Sequence, residues 1–495
     1  MRSSVINEES EVDIEIDEIL AQVPKGQFIA GRFIETEKTF PVQDPATGDE
    51  LAQVSDGSAD HARAAMDAAC AAAASWAATD PRERAELLRR SFDLIVERRD
   101  LFAALMTLEM GKPLEEAYGE VAYGAEFLRW FAEEACRIEG RWSQAPVGGT
   151  RLLTMKQPVG PVYAITPWNF PLAMGTRKIG PALAAGCTVV IKPASLTPLT
   201  MLALMQVFAD AGLPAGVVNC IVSTRSGAVS EPILTDPRLR KLTFTGSTGV
   251  GQILLRQAAD PVLRTSMELG GNAPFLVLQD ADVDAAVAGA MLAKFRNNGE
   301  ACTAANRIYV HRDVVEEFTA KLVTAVEDLV VGPGMEAGVT LGPLIDEPSL
   351  AKVEELVTDA LDKGATLLTG GARIDGPGYF FEPTVLSDVS RDARLLKEEI
   401  FGPVAPIVVV DSDDEAIRLA NDTEFGLMAY VYSRDIGRAI KAVERLESGM
   451  VGLNTGLVSN PAAPFGGVKQ SGLGREGSHE GLDEYLEVKY VGILA

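Results

Sequence analysis

Histidine is nearly missing from this sequence. Only His61, His311 and His479 occur in 495 residues. The first and last sit in polar surroundings and the middle one ends an apparent strand, so each reads as structural, and a Cys–His nucleophile pair is hard to sustain. Cysteine is also scarce: Cys70, Cys136, Cys187, Cys220 and Cys302 are odd in number, scattered and free of any CxxC pair. That fits neither a disulfide framework nor a zinc site, and no metal is expected. Basic residues are outnumbered, 45 Lys and Arg against 70 Asp and Glu, for a net charge of −25. This argues against nucleic acid or an anionic membrane surface as partner, and an acidic ligand would have to be caught by local arginines. Long apolar runs are lacking too, none reaching the roughly eighteen residues of a membrane span. The start carries seven acids between Glu8 and Glu18, unlike a secretory or mitochondrial signal. Residues 1–24 read as an acidic, weakly ordered or edge-docking extension, and a cytoplasmic location is expected.

What is present is the material of a large globular protein. A chain of this length exceeds one hydrophobic core, so two or more domains are expected. Ser58 to Ala77 is alanine-rich with helical periodicity, Asp80-Pro81 reads as an N-cap with proline at the first helical position, and Leu114 to Ile138 is a long helix with Phe127, Trp130 and Phe131 in its core stripe. From Val159 the pattern becomes strand, turn, helix, repeated. Strands at Val162–Ile165, Thr188–Ile191, Val217–Val222 and Leu242–Phe244 predict a doubly wound parallel sheet with ligands at its carboxyl ends. After Glu268 a second α/β unit follows, with no internal repeat. Residues 149–160 and 485–491 have β periodicity and are candidates to pair, within one subunit or across two.

The chemistry concentrates at two stretches, Met267-Glu268-Leu269-Gly270-Gly271 and Gly299-Glu300-Ala301-Cys302. Cys302 differs from the other cysteines in following Asn297-Asn298-Gly299 at a helix exit, where little bulk shields a thiol. A thiolate with a carboxylate as general base could share one pocket, and Glu268 is the candidate base. Asn169, between two prolines in the turn after a strand, suits an oxyanion donor beside the Cys302 N–H. Gly246-Ser247-Thr248-Gly249-Val250-Gly251 lies between strand and helix, where backbone N–H groups can hold a pyrophosphate. Lys192 ends a neighbouring strand where an acid commonly binds ribose hydroxyls. With small Ser195 three residues on, it leaves room and charge for a 2′-phosphate and favours NADP over NAD.

Taken together, Pro167-Trp168-Asn169-Phe170-Pro171, Phe244-Thr245-Gly246-Ser247-Thr248, Met267-Glu268-Leu269-Gly270-Gly271 and Glu399-Ile400-Phe401-Gly402-Pro403 resemble the aldehyde dehydrogenase superfamily, in order and from about Gly31 onward. Within it the chain is most similar to the bacterial succinate-semialdehyde dehydrogenase branch. The supporting runs include Thr176-Arg177-Lys178, Lys294-Phe295-Arg296-Asn297 and Gly472-Leu473-Gly474-Arg475-Glu476-Gly477.

The resemblance implies an α/β architecture. A Rossmann-like parallel-sheet cofactor domain (25–140 and 159–267) is joined to a second α/β catalytic domain (268–470). Small β oligomerisation segments (141–158 and 471–495) complete it. It implies Cys302 as nucleophile, Glu268 as base and Asn169 as oxyanion donor. Lys192 and Glu399 would grip the two riboses, Ser247 the pyrophosphate, and Phe401 the nicotinamide, with Trp168, Gly246 and Ser195 completing the cofactor set. Arg177, Arg296 and Ser459 would hold a substrate carboxylate, a task that suits arginine forks. The expected reaction is NAD(P)-dependent oxidation of an aldehyde to its acid through a cysteine thioester, with succinate semialdehyde leading. Glutarate semialdehyde, a neutral aliphatic aldehyde, or a fold without turnover are the alternatives, and a homodimer or homotetramer is the expected assembly. Three features depart from the branch: Ala304 where some members carry a second cysteine, Glu300-Ala301 before the nucleophile, and the acidic extension.

Overall fold

The computed structural model describes residues 16–494. The extension read over 1–24 therefore lies outside the described residues up to position 15. Its remainder is the short helix Ile16–Gln22, and Ile19 and Val23 are buried in the first core.

Gln27–Ile29 (β1) and Arg32–Ile34 (β2) form a hairpin, and Thr39–Gln43 (β3) pairs with Glu50–Ser55 (β4) in a sheet of two. Four helices follow, Ala59–Ala78, Pro81–Glu97, Arg99–Met110 and Leu114–Glu134. His61 is structural as expected: its ring and the Ser58 side chain cap the first of these reciprocally. Two local expectations are corrected. The Asp80 side chain makes no capping hydrogen bond, leaving proline at N1 to start that helix. The long helix ends at Glu134 rather than Ile138, and Ala135–Arg137 tighten into a 3-10 turn that leaves Cys136 exposed.

Arg141–Gln144 (β5) and Thr150–Pro158 (β6) precede the alternating region. There Val162–Ile165 (β7), Val189–Lys192 (β8), Val218–Cys220 (β9), Lys241–Thr245 (β10) and Arg264–Glu268 (β11) are separated by helices. They form a parallel sheet in the order β11-β10-β7-β8-β9, extended by antiparallel β1 and β2 at one edge and by Gly472–Leu473 at the other. The central strands are buried along their length, as a sheet with helices on both faces requires.

The second sheet contains Ala273–Val277 (β12), Ala305–His311 (β13), Thr366–Thr369 (β14), Thr384–Ser387 (β15), Val404–Val410 (β16), Met428–Tyr432 (β17) and Met450–Leu453 (β18). Its order is β14-β15-β16-β13-β12-β17-β18, parallel apart from β14. One apolar cluster covers each face. The C-terminal strand Leu486–Leu494 pairs antiparallel with β6 of the same chain, from Leu486↔Pro158 to Leu494↔Thr150, and β5 completes a three-stranded sheet. Trp142, Val488, Tyr490 and Leu494 are exposed on it.

Arg307, buried on β13, ties this sheet to its surroundings. Its guanidinium donates to the carbonyls of Asn272 (2.8 Å), Leu419 (3.1 Å) and Ala420 (3.0 Å). Arg307→Met strands three buried acceptors, and each unpaired group costs on the order of 1 kcal/mol or more. We expect a loss of about 2–4 kcal/mol in urea unfolding; a change below about 0.5 kcal/mol contradicts this reading.

Candidate active site

Residues just beyond the carboxyl ends of β7, β10 and β11 and just ahead of the amino ends of β13, β16 and β17 line one cavity of about 230 Å³. Asn169, Glu268 and Cys302 all contribute to its wall, with Trp168, Gly246, Ser247, Glu399 and Phe401. Eight residues singled out from the sequence thus meet at one place.

The loop carrying Cys302 has an unusual backbone. Asn297, Asn298 and Gly299 are left-handed in succession, with φ of 57°, 58° and 76°. Asparagine and glycine are the residues that tolerate this conformation, which accounts for the Asn-Asn-Gly sequence. The Asn298 amide fixes the loop by accepting from Gly342 N and donating to Pro343 O. Glycine at 271 is needed for a different reason: a Cβ there would lie 2.6 Å from the Cys302 carbonyl oxygen. Across the cavity the Asn169 amide donates to Glu300 O at 2.9 Å. Phe401, itself left-handed, stands edge-on to Trp168 with centroids 5.5 Å apart.

Burial sets the electrostatics. Glu268 is 3% exposed and neither carboxylate oxygen has a hydrogen-bond partner. Burial first, then the charge of Glu476, pushes its pKa well above the carboxylate range. Burial likewise pushes the Cys302 thiol up to about 12, against the pull of Arg177. Cys302 nevertheless stays partly exposed on the cavity wall, as its small-sided loop suggests, whereas Cys187 and Cys220 are buried. Glu399 is raised by burial to about 7 although Gly271 N donates to it at 3.2 Å.

The glycine run is also corrected. Only Gly246 and Ser247 form the turn; Gly249 and Gly251 lie inside the helix Thr248–Ala259, where Gly251 makes room for Leu269. Lys192 and Ser195 do not line the cavity. Lys192 ends β8 with its ammonium buried and Pro193 O as acceptor at 3.1 Å, so burial lowers its pKa to about 8.

Arg177, Arg296 and Ser459 also stand behind the wall. Arg177 lies on the helix Ala173–Ala185. Its Nε lies 2.5 Å from Glu476 Oε2 and its guanidinium 4.2 Å over the Phe465 ring. Arg296 lies 5.3 Å over Phe170. Tyr123 is near all three: burial raises its phenol, opposed chiefly by the charges of Arg177 and Arg296, with Ser459 beside it. The sequence reading gave no role to Tyr123, Glu476 or Lys178, whose ammonium is 2.5 Å from Glu476 Oε1. A Lys beside an Arg in an otherwise apolar helix is the signal that could have found Lys178.

Comparison with known proteins bears on this arrangement. The aldehyde dehydrogenase family profile matches residues 33–491. The succinate-semialdehyde dehydrogenase of Paenarthrobacter nicotinovorans is 57% identical, over 90% of this chain and 98% of that one. The NADP(+) succinate-semialdehyde dehydrogenase GabD of Escherichia coli (strain K12) is 53% identical, over 92% and 94%. The glutarate-semialdehyde dehydrogenase of Pseudomonas aeruginosa is 51% identical, over 94% and 96%. Among solved structures, the succinate-semialdehyde dehydrogenase of Burkholderia pseudomallei superposes with a TM-score of 0.94 at 51% identity, over 96% and 98%.

Glu300, under the cavity floor, offers a pH test. It has no exposure; Oε1 accepts from Ile345 N at 3.1 Å and Oε2 has no partner. Burial, with Asp346 adding to it, raises its pKa well above 4.5. The fold therefore favours the neutral acid. Its contribution is full below the unfolded pKa and is lost as pH rises toward the folded one. Glu300→Gln removes that loss. Its melting temperature should exceed the parent's by about 1–3 °C at pH 8 and by little at pH 4.5. Equal differences at both pH values count against a buried neutral acid.

Proposed function

The chain belongs to the aldehyde dehydrogenase family, and on that premise we propose that it oxidises succinate semialdehyde to succinate through a thioester on Cys302. The observation that carries the substrate class is the pair of guanidiniums behind the cavity, Arg177 and Arg296, both acting on the Cys302 thiol and meeting at Tyr123 and Ser459. In a molecule of net charge −25, two arginines beside a nucleophile are suited to a short aldehyde ending in a carboxylate. The succinate-semialdehyde relatives support the same reading, and the glutarate-semialdehyde relative supports a substrate one methylene longer as the second.

Several features fit a nicotinamide dinucleotide. Lys192 keeps a buried ammonium with one protein acceptor, and Thr245 a buried hydroxyl with none. Gly246 and Ser247 open the helix Thr248–Ala259 at a strand end, where phosphate is favoured. Lys192, Ser195, Trp168, Gly246, Ser247, Glu399 and Phe401 would hold it. Lys192 with Ser195 favours NADP, with NAD as the alternative. When bound, the dinucleotide supplies the hydride acceptor.

The chain's own groups do the rest. Glu268, raised in pKa and free of partners, takes the proton of Cys302, directly or through water, and the thiolate adds to the carbonyl carbon. The Asn169 amide and the Cys302 N–H hold the oxyanion. Loss of hydride from the adduct carbon to the acceptor lets the carbonyl re-form as a thioester, and Glu268 returns its first proton to solvent. The Glu268 carboxylate then takes a proton from water, whose oxygen bonds to the thioester carbon; the sulfur leaves as thiolate and the acid is released. In this reading residues 25–140 and 159–267 bind cofactor, 268–470 carry the chemistry, and 141–158 with 471–495 form the oligomerisation sheet. Its exposed Trp142, Val488 and Tyr490 support a homodimer or homotetramer. A cytoplasmic location completes the proposal; among the described residues no helix is long and apolar enough to cross a membrane.

Assays of NADP+ reduction test this directly. Cys302→Ser should lower kcat by about three orders of magnitude or more with succinate semialdehyde; retention of turnover removes the thioester route. Arg296→Leu should raise KM for succinate semialdehyde about tenfold or more and leave a neutral aldehyde such as butanal nearly unaffected. Parallel changes for both aldehydes exclude a carboxylate clamp.

A further inference from the structure

We propose that the buried ion pair Lys112–Glu120, together with Glu116, is a positioning device that fixes the Asn169 turn and the Cys302 loop relative to each other. The inference rests on the reading above, in which Asn169 donates to the oxyanion. None of the three residues lines the cavity, so none is a catalytic residue. They act through the groups they hold.

Lys112 sits between two helices, just after the left-handed Gly111, and its side chain is fully buried. Its ammonium pairs with Glu120 Oε2, donates to Asn169 O at 3.0 Å and lies 4.3 Å over the Phe170 ring. Glu120 uses its other oxygen to accept from Leu172 N (3.0 Å) and Ala173 N (3.1 Å). The turn bearing Asn169 is thus gripped on both sides, at the carbonyl of 169 and at the amides of 172 and 173.

Glu116 lies four residues before Glu120, on the same face of the helix Leu114–Glu134. Its Oε2 accepts from Asn297 N at 2.6 Å, the first of the three left-handed residues leading to Cys302. The Asn297 side chain then donates both to Asn169 O and to Glu300 O, at 3.1 Å each. One helix therefore holds the oxyanion turn and the nucleophile loop by charged groups whose bonds converge on Asn169 and Asn297.

Stability alone does not explain such a pair. A buried ion pair gains little over apolar residues of the same volume, because desolvation offsets attraction. What it fixes is direction, and a displacement of about 1 Å at a reacting centre can cost on the order of a hundredfold in rate.

The test is a double-mutant cycle on the full chain. Lys112→Met with Glu120→Gln removes both charges together, so neither ion is stranded. It is made in the parent and in Asn169→Ala, and kcat, KM for NADP+ and melting temperature are measured. In the parent we expect kcat to fall at least about tenfold with KM for NADP+ within about twofold. In Asn169→Ala the further loss should stay below about threefold, because the group being positioned is gone. Equal losses in both backgrounds, or none in the parent, overturn the proposal. Should the double substitution not yield a protein that binds NADP+, Glu116→Ala, at a half-buried site, is measured in the parent: kcat should fall at least about tenfold with KM for NADP+ within about twofold, and an unchanged kcat overturns the proposal. A parent that oxidises no aldehyde removes the reading of the site itself; an active parent with uncoupled losses removes only the positioning role.

Discussion

Two backbones touch where Gly271 passes the Cys302 carbonyl, and the centre depends on that contact. A single methyl group at 271 would sit 2.6 Å from the oxygen, a distance that side chains do not tolerate. A second close approach, Gly299 against the Gly402 carbonyl at 2.4 Å by the same measure, joins the Cys302 loop to the segment bearing Glu399 and Phe401. Glycines at these two places let three loops from different strands close on one cavity. Without them the sheets could stand side by side, yet Glu268 and Cys302 would not line the same wall.

That closeness carries an electrostatic consequence. Water is displaced from acids, a thiol and lysines together, and the groups sort by what partners remain. Glu476 lies against Arg177 and Lys178 and stays below the ordinary carboxylate range, drawn down by their charges against the cost of burial. Glu268 has no such partner and rises. Two buried glutamates a short distance apart are thereby driven in opposite directions, the arrangement in which one serves as a fixed charge and the other as a proton acceptor. At this range neighbouring charges act directly: Glu476 and Arg177 oppose each other at Glu268, and Arg177 and Glu399 oppose each other at Cys302.

Much of the architecture was legible in order. Apolar runs such as Val162–Ile165 and Val189–Ile191 announce buried parallel strands, because a strand covered on both faces has no polar side to show. Asn297-Asn298-Gly299 marked a helix exit, and the three left-handed φ values follow the helix Val283–Phe295. Legibility failed where a feature depends on partners distant in the chain. The glycines at 249 and 251 look like loop glycines, yet a helix packed against Leu269 needs small residues as much as a phosphate turn does. Glu476 could not be joined to Arg177 and Lys178 from the sequence, since nearly three hundred residues separate them and only the arrival of Gly472–Leu473 at the edge of the first sheet brings them together.

By itself the sequence determined the α/β character, the order of the strands along the chain, the side chains proposed for the chemistry and the scarcity of histidine. These follow from local periodicity and residue type, which each segment carries whatever its neighbours do. The tertiary structure alone decided which acids are neutral, which cations are already paired, and that helix Leu114–Glu134 reaches both loops of the centre. Those properties are set by burial and by the distance between groups, and neither exists until the chain has folded.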